Sequence, residues 1–320
     1  MSAARIRKPD QFSFFLKNYG IYLGLAALLA ISGIISPQSF NPTGLLNVAK
    51  QAAGLGIVAI GQTLVILTGG IDLSVGSIVT FIHVYSVGTI LGKPELVLPV
   101  SLLCLLIGLA FGFLNGLGVT RAQISPFVMT LCMDFIVRGL YFIYTKGQPR
   151  GVVPDNLRFI GRGRILSIVP VAVLIWLGVA FLLIFVLYRT TFGSRLYAVA
   201  ANPRSARLSG VKNDRILIVV YAISGLLSAV AALIITGDMG AVSLGVGGDY
   251  SLDSVASTVI GGTSFTGGIG GVEGTIAGAY IIRLLTSLLQ KINISNTGKL
   301  IIQGVLILAI VGAYSKKKNG

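Results

Sequence analysis

The sequence predicts an all-α fold: a polytopic transmembrane helical bundle of about ten spans, with both termini cytoplasmic. Three observations carry that class. Of 320 residues, 54% are hydrophobic and another 42 are glycine, enough for about ten helices at roughly 20 residues per span. Charged residues are only 11%, against roughly 25% in a typical soluble domain, too few to cover a soluble surface. Apolar runs recur along the whole chain and are separated by short polar or glycine-rich breaks.

The spans follow in order. The N-terminal segment carries Arg5, Arg7, Lys8 and Lys17 with no small-residue cleavage site after it, so the first apolar run, about 19–35, reads as a retained span. Span two covers about 46–67, with Lys50 near its start placed to snorkel to the interface. The break 68–76 leads into span three, which ends near Leu91. Spans four and five cover about 96–119 and 127–144. A polar stretch, 146–164, precedes span six at about 168–188. The longest polar segment, 189–215, precedes span seven at about 216–235. Spans eight and nine, about 252–265 and 272–289, flank a glycine cluster. Span eight is short for a crossing, so it is either re-entrant or extended by its neighbours. Span ten covers about 300–314. The domain reading is a cytoplasmic N-terminus 1–18, one transmembrane unit 19–315 with a cytoplasmic loop 189–215, and a basic tail 316–320.

Orientation comes from Lys and Arg. With the N-terminus inside, the inner segments hold the four N-terminal basic residues, Arg121, six residues in 189–215, and Lys316, Lys317 and Lys318. The outer segments hold Lys93, Lys291, Lys299 and five residues in 146–164. The bias places both ends inside. The net charge of +15 therefore belongs to membrane topology and anionic lipid, and no aromatic-basic platform points to nucleic acid. Cys104 and Cys132 lie in separate apolar runs, and His83 has no metal-ligand companion one turn away. The sequence therefore predicts no metal site, no cofactor and no catalytic set, and His83 is expected to be packed.

Two segments echo one another. Thr68-Gly69-Gly70-Ile71 followed by Gly76-Ser77-Ile78 matches Thr266-Gly267-Gly268-Ile269 followed by Gly274-Thr275-Ile276, at one offset. Glycine-broken segments in matching positions of duplicated halves point to a transport path. Asp72 and Glu273 are the carboxylates of the two breaks. Each precedes an apolar run, where a helix dipole favours an acid. Ser74 is the expected N-cap of span three. Gln62 and Asn115 add neutral hydrogen-bonding groups on spans two and four. The candidates for path or gating are Gln62, Gly69, Gly70, Asp72, Ser74, Asn115, Gly267, Gly268 and Glu273. Asp134 and Arg138, four apart on span five, share one face and are expected to pair.

In the loop 189–215, Asn202 suits an N-cap, Pro203 a first helical residue, and Gly210 a stop. The product is a short basic helix outside the membrane: either an ordinary positive-inside loop or a docking peg for a cytoplasmic protein. Arg204 and Arg207 project from one face, and Leu208 adds an apolar tooth.

Three segments together carry a family resemblance: Thr63 to Ser77 (TLVILTGGIDLSVGS), Ala201 to Val211 (ANPRSARLSGV) and Val259 to Gly270 (VIGGTSFTGGIG). The chain resembles, in order and spacing from about residue 40 onward, the permeases of ribose/xylose/galactose-type ABC importers. The short, basic segment 146–164 departs from that pattern. The resemblance implies a homodimeric permease of the bacterial inner membrane, passing a monosaccharide between a periplasmic sugar-binding protein and the cytoplasm. A separate ATP-binding cassette subunit would drive it. It also implies that Asn202, Pro203, Arg204, Ala206, Arg207, Leu208 and Gly210 form the coupling helix. The chain has no GxxxxGK[ST] motif, so energy must come from a partner or an ion gradient. The alternatives are a stand-alone secondary transporter or channel for a small polar solute, and an ABC permease for a furanone signal.

Overall fold

A computed structural model describes residues 11–36, 40–295, 297–299, 301, 302, 304 and 305. Twelve α-helices are described: α1 (Gln11–Ile35), α2 (Pro42–Leu67), α3 (Val75–Ile90), α4 (Val97–Thr120), α5 (Pro126–Thr145), α6 (Asp155–Arg162), α7 (Val171–Arg189), α8 (Thr191–Ala201), α9 (Pro203–Leu208), α10 (Asn213–Met239), α11 (Tyr250–Ile260) and α12 (Val272–Lys291). Six helical stretches among the described residues are long and apolar enough to cross a membrane: Pro42–Leu67, Pro94–Thr120, Pro126–Thr145, Val171–Arg189, Asn213–Met239 and Val272–Lys291. Leu23–Ile35 and Val75–Ile90 are shorter apolar helical stretches. The expected tenth span and the basic tail fall largely or wholly outside the described residues, as do residues 1–10 of the N-terminal segment.

Local chemistry sets the boundaries. α2 starts at Pro42 because Asn41 caps it, its side chain accepting from Gly44 N at 2.7 Å. α10 stops at Gly240, which takes the left-handed conformation with φ +67°. The segment 146–164 is not plain loop: it folds into α6 and enters a small antiparallel hairpin, β1 (Arg164–Ile165) with β2 (Val169–Pro170). This hairpin is the one described departure from an all-α fold. Its strands are two residues each, and Leu166 and Ser167 turn it with positive φ.

α2 is the axial helix. From Ala52 to Leu67 every residue is buried, on all faces. α10, α11, α12 and α7 surround it. α4 crosses α10 backbone to backbone: a methyl group on Gly108 would come 2.6 Å from Gly225 O, and one on Gly116 2.6 Å from Ile218 Cα. Small residues at such a crossing let van der Waals contact replace the hydrophobic drive that lipid does not supply. The outward faces of α4, α5 and α7 are apolar, with Leu98, Leu106, Ile136, Ile143, Phe181 and Phe185 exposed, as lipid-facing surfaces require.

The helix ends fall into two sets. At one end Gly268 N donates to Leu67 O, Thr130 Oγ1 to Ile71 O, and Tyr197 Oη to Gly270 O. At the other, Lys50 meets Asp238, Arg164 meets Asn47, and Asn156 meets Pro94 O. Lys50 is ion-paired at 2.6 Å with the carboxylate near the end of α10.

The segment expected as span eight holds α11. α11 has 11 residues, too few to traverse a bilayer. The preceding segment 241–249 runs against α3: Ser243 N donates to His83 Nε2 at 3.1 Å, and Gly247 N to Thr80 Oγ1 at 3.0 Å. Two of its N–H groups are thus met by α3 side chains, and Gly245 N and Gly248 N are met within the segment itself. His83 is packed as expected, its Nδ1 lying 2.8 Å from Thr236 Oγ1.

Candidate functional site

Four of the nine path candidates converge at the break between α2 and α3. Asp72 is fully buried. Its Oδ1 accepts from Ser74 N at 3.0 Å and Ser74 Oγ at 2.6 Å; its Oδ2 accepts from Ser224 Oγ on α10 at 2.9 Å. Asn115 on α4 donates Nδ2 to Ser74 Oγ at 2.9 Å. Gln62 on α2, with its amide turned to satisfy both groups, donates to Asp72 O at 3.0 Å and accepts from Asp72 N at 3.2 Å. A buried carboxylate is tolerable only when donors replace its lost water, and three do so here. The result is a polar hub that pins the break to α2, α4 and α10.

Ser74 does not cap α3. It stands at the N-cap position with φ −79° and ψ −10°, and its side chain makes no cap bond. A cap would need the hydroxyl oxygen to accept from a helix N–H, and here that oxygen accepts from Asn115 Nδ2 while the hydroxyl donates to Asp72 Oδ1. Glu273 does not mirror Asp72. It is exposed, and Tyr188 Oη reaches it only at 3.4 Å. Their backbones differ: Asp72 sits inside the bundle between two helices, whereas Glu273 lies in the first turn of α12 facing outward.

The two echoed breaks touch. Gly268 N donates to Leu67 O at 3.0 Å, closing the turn 261–271 on the end of α2. Gly268 has φ +79°, a conformation a side chain disfavours. At Gly70 the need is space: a Cβ there would collide with Tyr221 Oη. Thr63 Oγ1 lies 2.6 Å from Thr275 Oγ1 and 3.3 Å from Thr258 Oγ1, joining α2 to α12 and α11. Gly69 has φ +77° and open space around it, and Gly267 packs against Leu67 O. Sequence reasoning missed Ser224, Tyr221, Thr130, Thr258 and Thr275. Nothing in α10 marks Ser224 as the partner of an acid 152 residues away.

The capped peripheral helix is as expected. Asn202 Oδ1 accepts from Arg204 N and Ser205 N, both at 3.0 Å, and Pro203 opens α9. Gly210, φ +82°, closes it: Gly210 N donates to Arg207 O and Val211 N to Ala206 O, both at 3.0 Å. Ala206 faces the bundle and is buried; Arg204, Arg207 and Leu208 face outward, and Leu208 is 84% exposed. Unanticipated, residues 191–201 form α8, which buries Leu196 and Val199. α8 carries α9 onto the second break, through Tyr197 Oη to Gly270 O at 3.0 Å. A continuous physical chain therefore runs from α9 through α8 and the turn 261–271 to the end of α2 and the Asp72 hub.

On α5 the expected pair is present: Arg138 Nε lies 2.8 Å from Asp134 Oδ2. Among the described residues, no group of three His, Cys, Asp or Glu side chains is placed to hold a metal. Residues 44–311 match the family described as branched-chain amino acid transport system / permease component. The chain belongs to this permease family. It is 38% identical to the ribose import permease protein RbsC of Bacillus subtilis over 97% of each chain. It is 35% identical to RbsC of Escherichia coli K12, over 92% of this chain and 93% of that one. It is 32% identical to the galactose/methyl galactoside import permease protein MglC of Escherichia coli K12, over 96% and 98%. No solved structure matches the chain. This permease component of a transport system is thus a multi-pass helical protein of the inner membrane.

Proposed function

We propose that this permease is the transmembrane subunit of an ABC importer for a monosaccharide of the ribose, allose or galactose class. The near-full-length similarity to import permeases named for those sugars carries this reading. A binding protein outside the membrane delivers the sugar, a cytoplasmic ATP-binding cassette subunit drives its passage, and two copies of the permease enclose the path. The chain moves its solute and performs no reaction on it. Residues 19–315 form one transmembrane unit of about ten spans, with both termini and the loop 189–215 in the cytoplasm. The Lys50–Asp238 end of the bundle then faces outward and α9 faces the ATPase, which seats Leu208 and the rim of Arg204 and Arg207 in its groove. The Asp72 hub and the two glycine turns act as the gate that this docking moves.

The test is uptake of radiolabelled ribose, allose and galactose by cells that carry the permease with its partner subunits, against the same cells lacking the permease. Permease-dependent accumulation of at least one sugar is expected. Equal uptake of all three in both strains would refute the substrate class.

A further inference from the structure

We propose that the hairpin 164–170, with the exposed face of α6, is a membrane-interface anchor that seats in the headgroup layer at the Lys50–Asp238 end of the bundle. Its partner is phospholipid, and the anchor works whichever solute the permease carries.

Position comes first. The hairpin leads directly into α7, the shortest of the six membrane-length helical stretches among the described residues. The 19 residues of α7 span about 28 Å, barely the roughly 30 Å of a bilayer's hydrocarbon core. Leu174, Leu177, Phe181 and Phe185 give α7 an exposed apolar stripe, and Arg189 ends the helix. A helix with no length to spare puts its first residue, Val171, at the hydrocarbon boundary. The segment joined to it therefore begins in the interfacial layer.

The surface fits that layer. Ile165, Leu166 and Ile168 are all exposed, Leu166 by 86%. Phe159 on α6 is exposed at the hairpin's base, its ring packed on Gly163. Arg162, three residues on from Phe159, shares that exposed face of α6 and adds a cation to it. Aromatic and aliphatic side chains beside a basic one are the pattern of a segment lying in the membrane interface. The turn itself argues against water. Ile168 N donates to Ile165 O at 3.1 Å, and the residues between them, Leu166 and Ser167, take φ +51° and +59°. Asn-Gly suits such a turn, because other side chains pay for the left-handed conformation. A leucine there bears that cost and exposes its side chain as well; lipid removes the second cost. These four apolar side chains supply a small part of the roughly 800 Å² per partner that a stable protein interface buries. The lipid-facing stripe of α7, by contrast, begins at Leu174, in the first turn after the hairpin.

The anchor holds the end of α10. Arg162 Nε donates to Asp238 O and Nη2 to Met239 O, the latter at 2.9 Å, and Gly161 and Gly237 bring the backbones of α6 and α10 into contact. Hairpin, α6 and the end of α10 are thus one packed unit, and the depth of the hairpin sets the position of that end relative to the bilayer.

The experiment reads depth. In a permease with Cys104→Ala and Cys132→Ala, Ile168→Cys carries an environment-sensitive fluorophore, and the full-length protein is reconstituted into phosphatidylcholine vesicles. Ala241→Cys, exposed in the turn after α10, carries the same fluorophore as a water reference. Nitroxide on the lipid headgroup or at the top of the acyl chain should quench the Ile168 probe several-fold more than nitroxide at the chain terminus. Iodide on both sides of the membrane should quench it several-fold less than the Ala241 probe. Leu166→Asn with Ser167→Gly keeps the turn and removes the apolar tip; it should raise iodide quenching of the Ile168 probe toward the Ala241 level. Where that double variant fails to accumulate, the parent probe alone decides. Iodide quenching equal at the two sites, without nitroxide quenching at Ile168, would put the hairpin in water and overturn the anchor. Shielding from both quenchers would make it a contact between copies of the chain, which overturns it too. Unchanged quenching in the double variant would overturn the role of the tip.

Discussion

Asp72 shows how a charged residue is held inside a membrane protein. Its two oxygens meet three donors, two from Ser74 just before α3 and one from Ser224 on α10. Ser224→Ala removes one charge-assisted bond and should lower stability by about 1 kcal/mol; Asp72→Ala strands all the donors and should lower it by about 3 kcal/mol. Thermal unfolding of the purified permease in detergent measures both, and equal midpoints for Asp72→Ala and the parent would mean that the hub holds nothing. Gly70→Val drives a branched side chain into Tyr221, and Gly268→Val forces an unfavourable positive φ at the contact with Leu67. Both variants should insert at normal abundance and lose most uptake; full uptake by both would make the echoed turns incidental. At this scale the sequence exposed the hub's acid and its near neighbours because intramembrane polar residues are rare. Ser224 stayed hidden because a serine on an apolar helix looks the same whether it packs or bonds.

At the scale of elements, caps were legible and packing was not. Asn202, Pro203 and Gly210 delimit α9 from sequence because each satisfies or terminates backbone in a residue-specific way. α8 went unread because its polar composition resembles loop, and only its burial of Leu196 and Val199 makes it a helix worth forming. The same holds for the segment 241–249 before α11: it is a run of turns with no periodicity, and two of its N–H groups bond to side chains on α3. α9 is too short to be stable alone and is held by its caps and by Ala206. Its exposed Leu208 is the part that a partner can cover. Leu208→Asp should abolish ATPase association in a pull-down from solubilised membranes, since covering that side chain contributes on the order of 2 kcal/mol. Arg204→Ala should only weaken it, as an exposed charge pair contributes about 0–1 kcal/mol. Normal association of Leu208→Asp would place the docking surface elsewhere.

For the whole molecule, composition declared a helical membrane bundle, and the contacts sort the described helix ends into two sets. In a cysteine-free background, Ser209→Cys and Ser315→Cys should be shielded from an impermeant thiol reagent in intact cells, while Ala241→Cys should react. Labelling of Ser315→Cys from outside would refute the orientation. What sequence could not provide is the joining of the two breaks and α9 into one chain of contacts, because the links between these elements pair residues far apart in sequence. That chain has a purpose only if the permease draws its energy from an ATPase seated on α9. The most direct measurement is sugar uptake into proteoliposomes holding the permease, its ATPase and the loaded binding protein. Uptake should require ATP on the ATPase side and persist when ion gradients are collapsed; uptake driven by a proton or sodium gradient without ATP would contradict it.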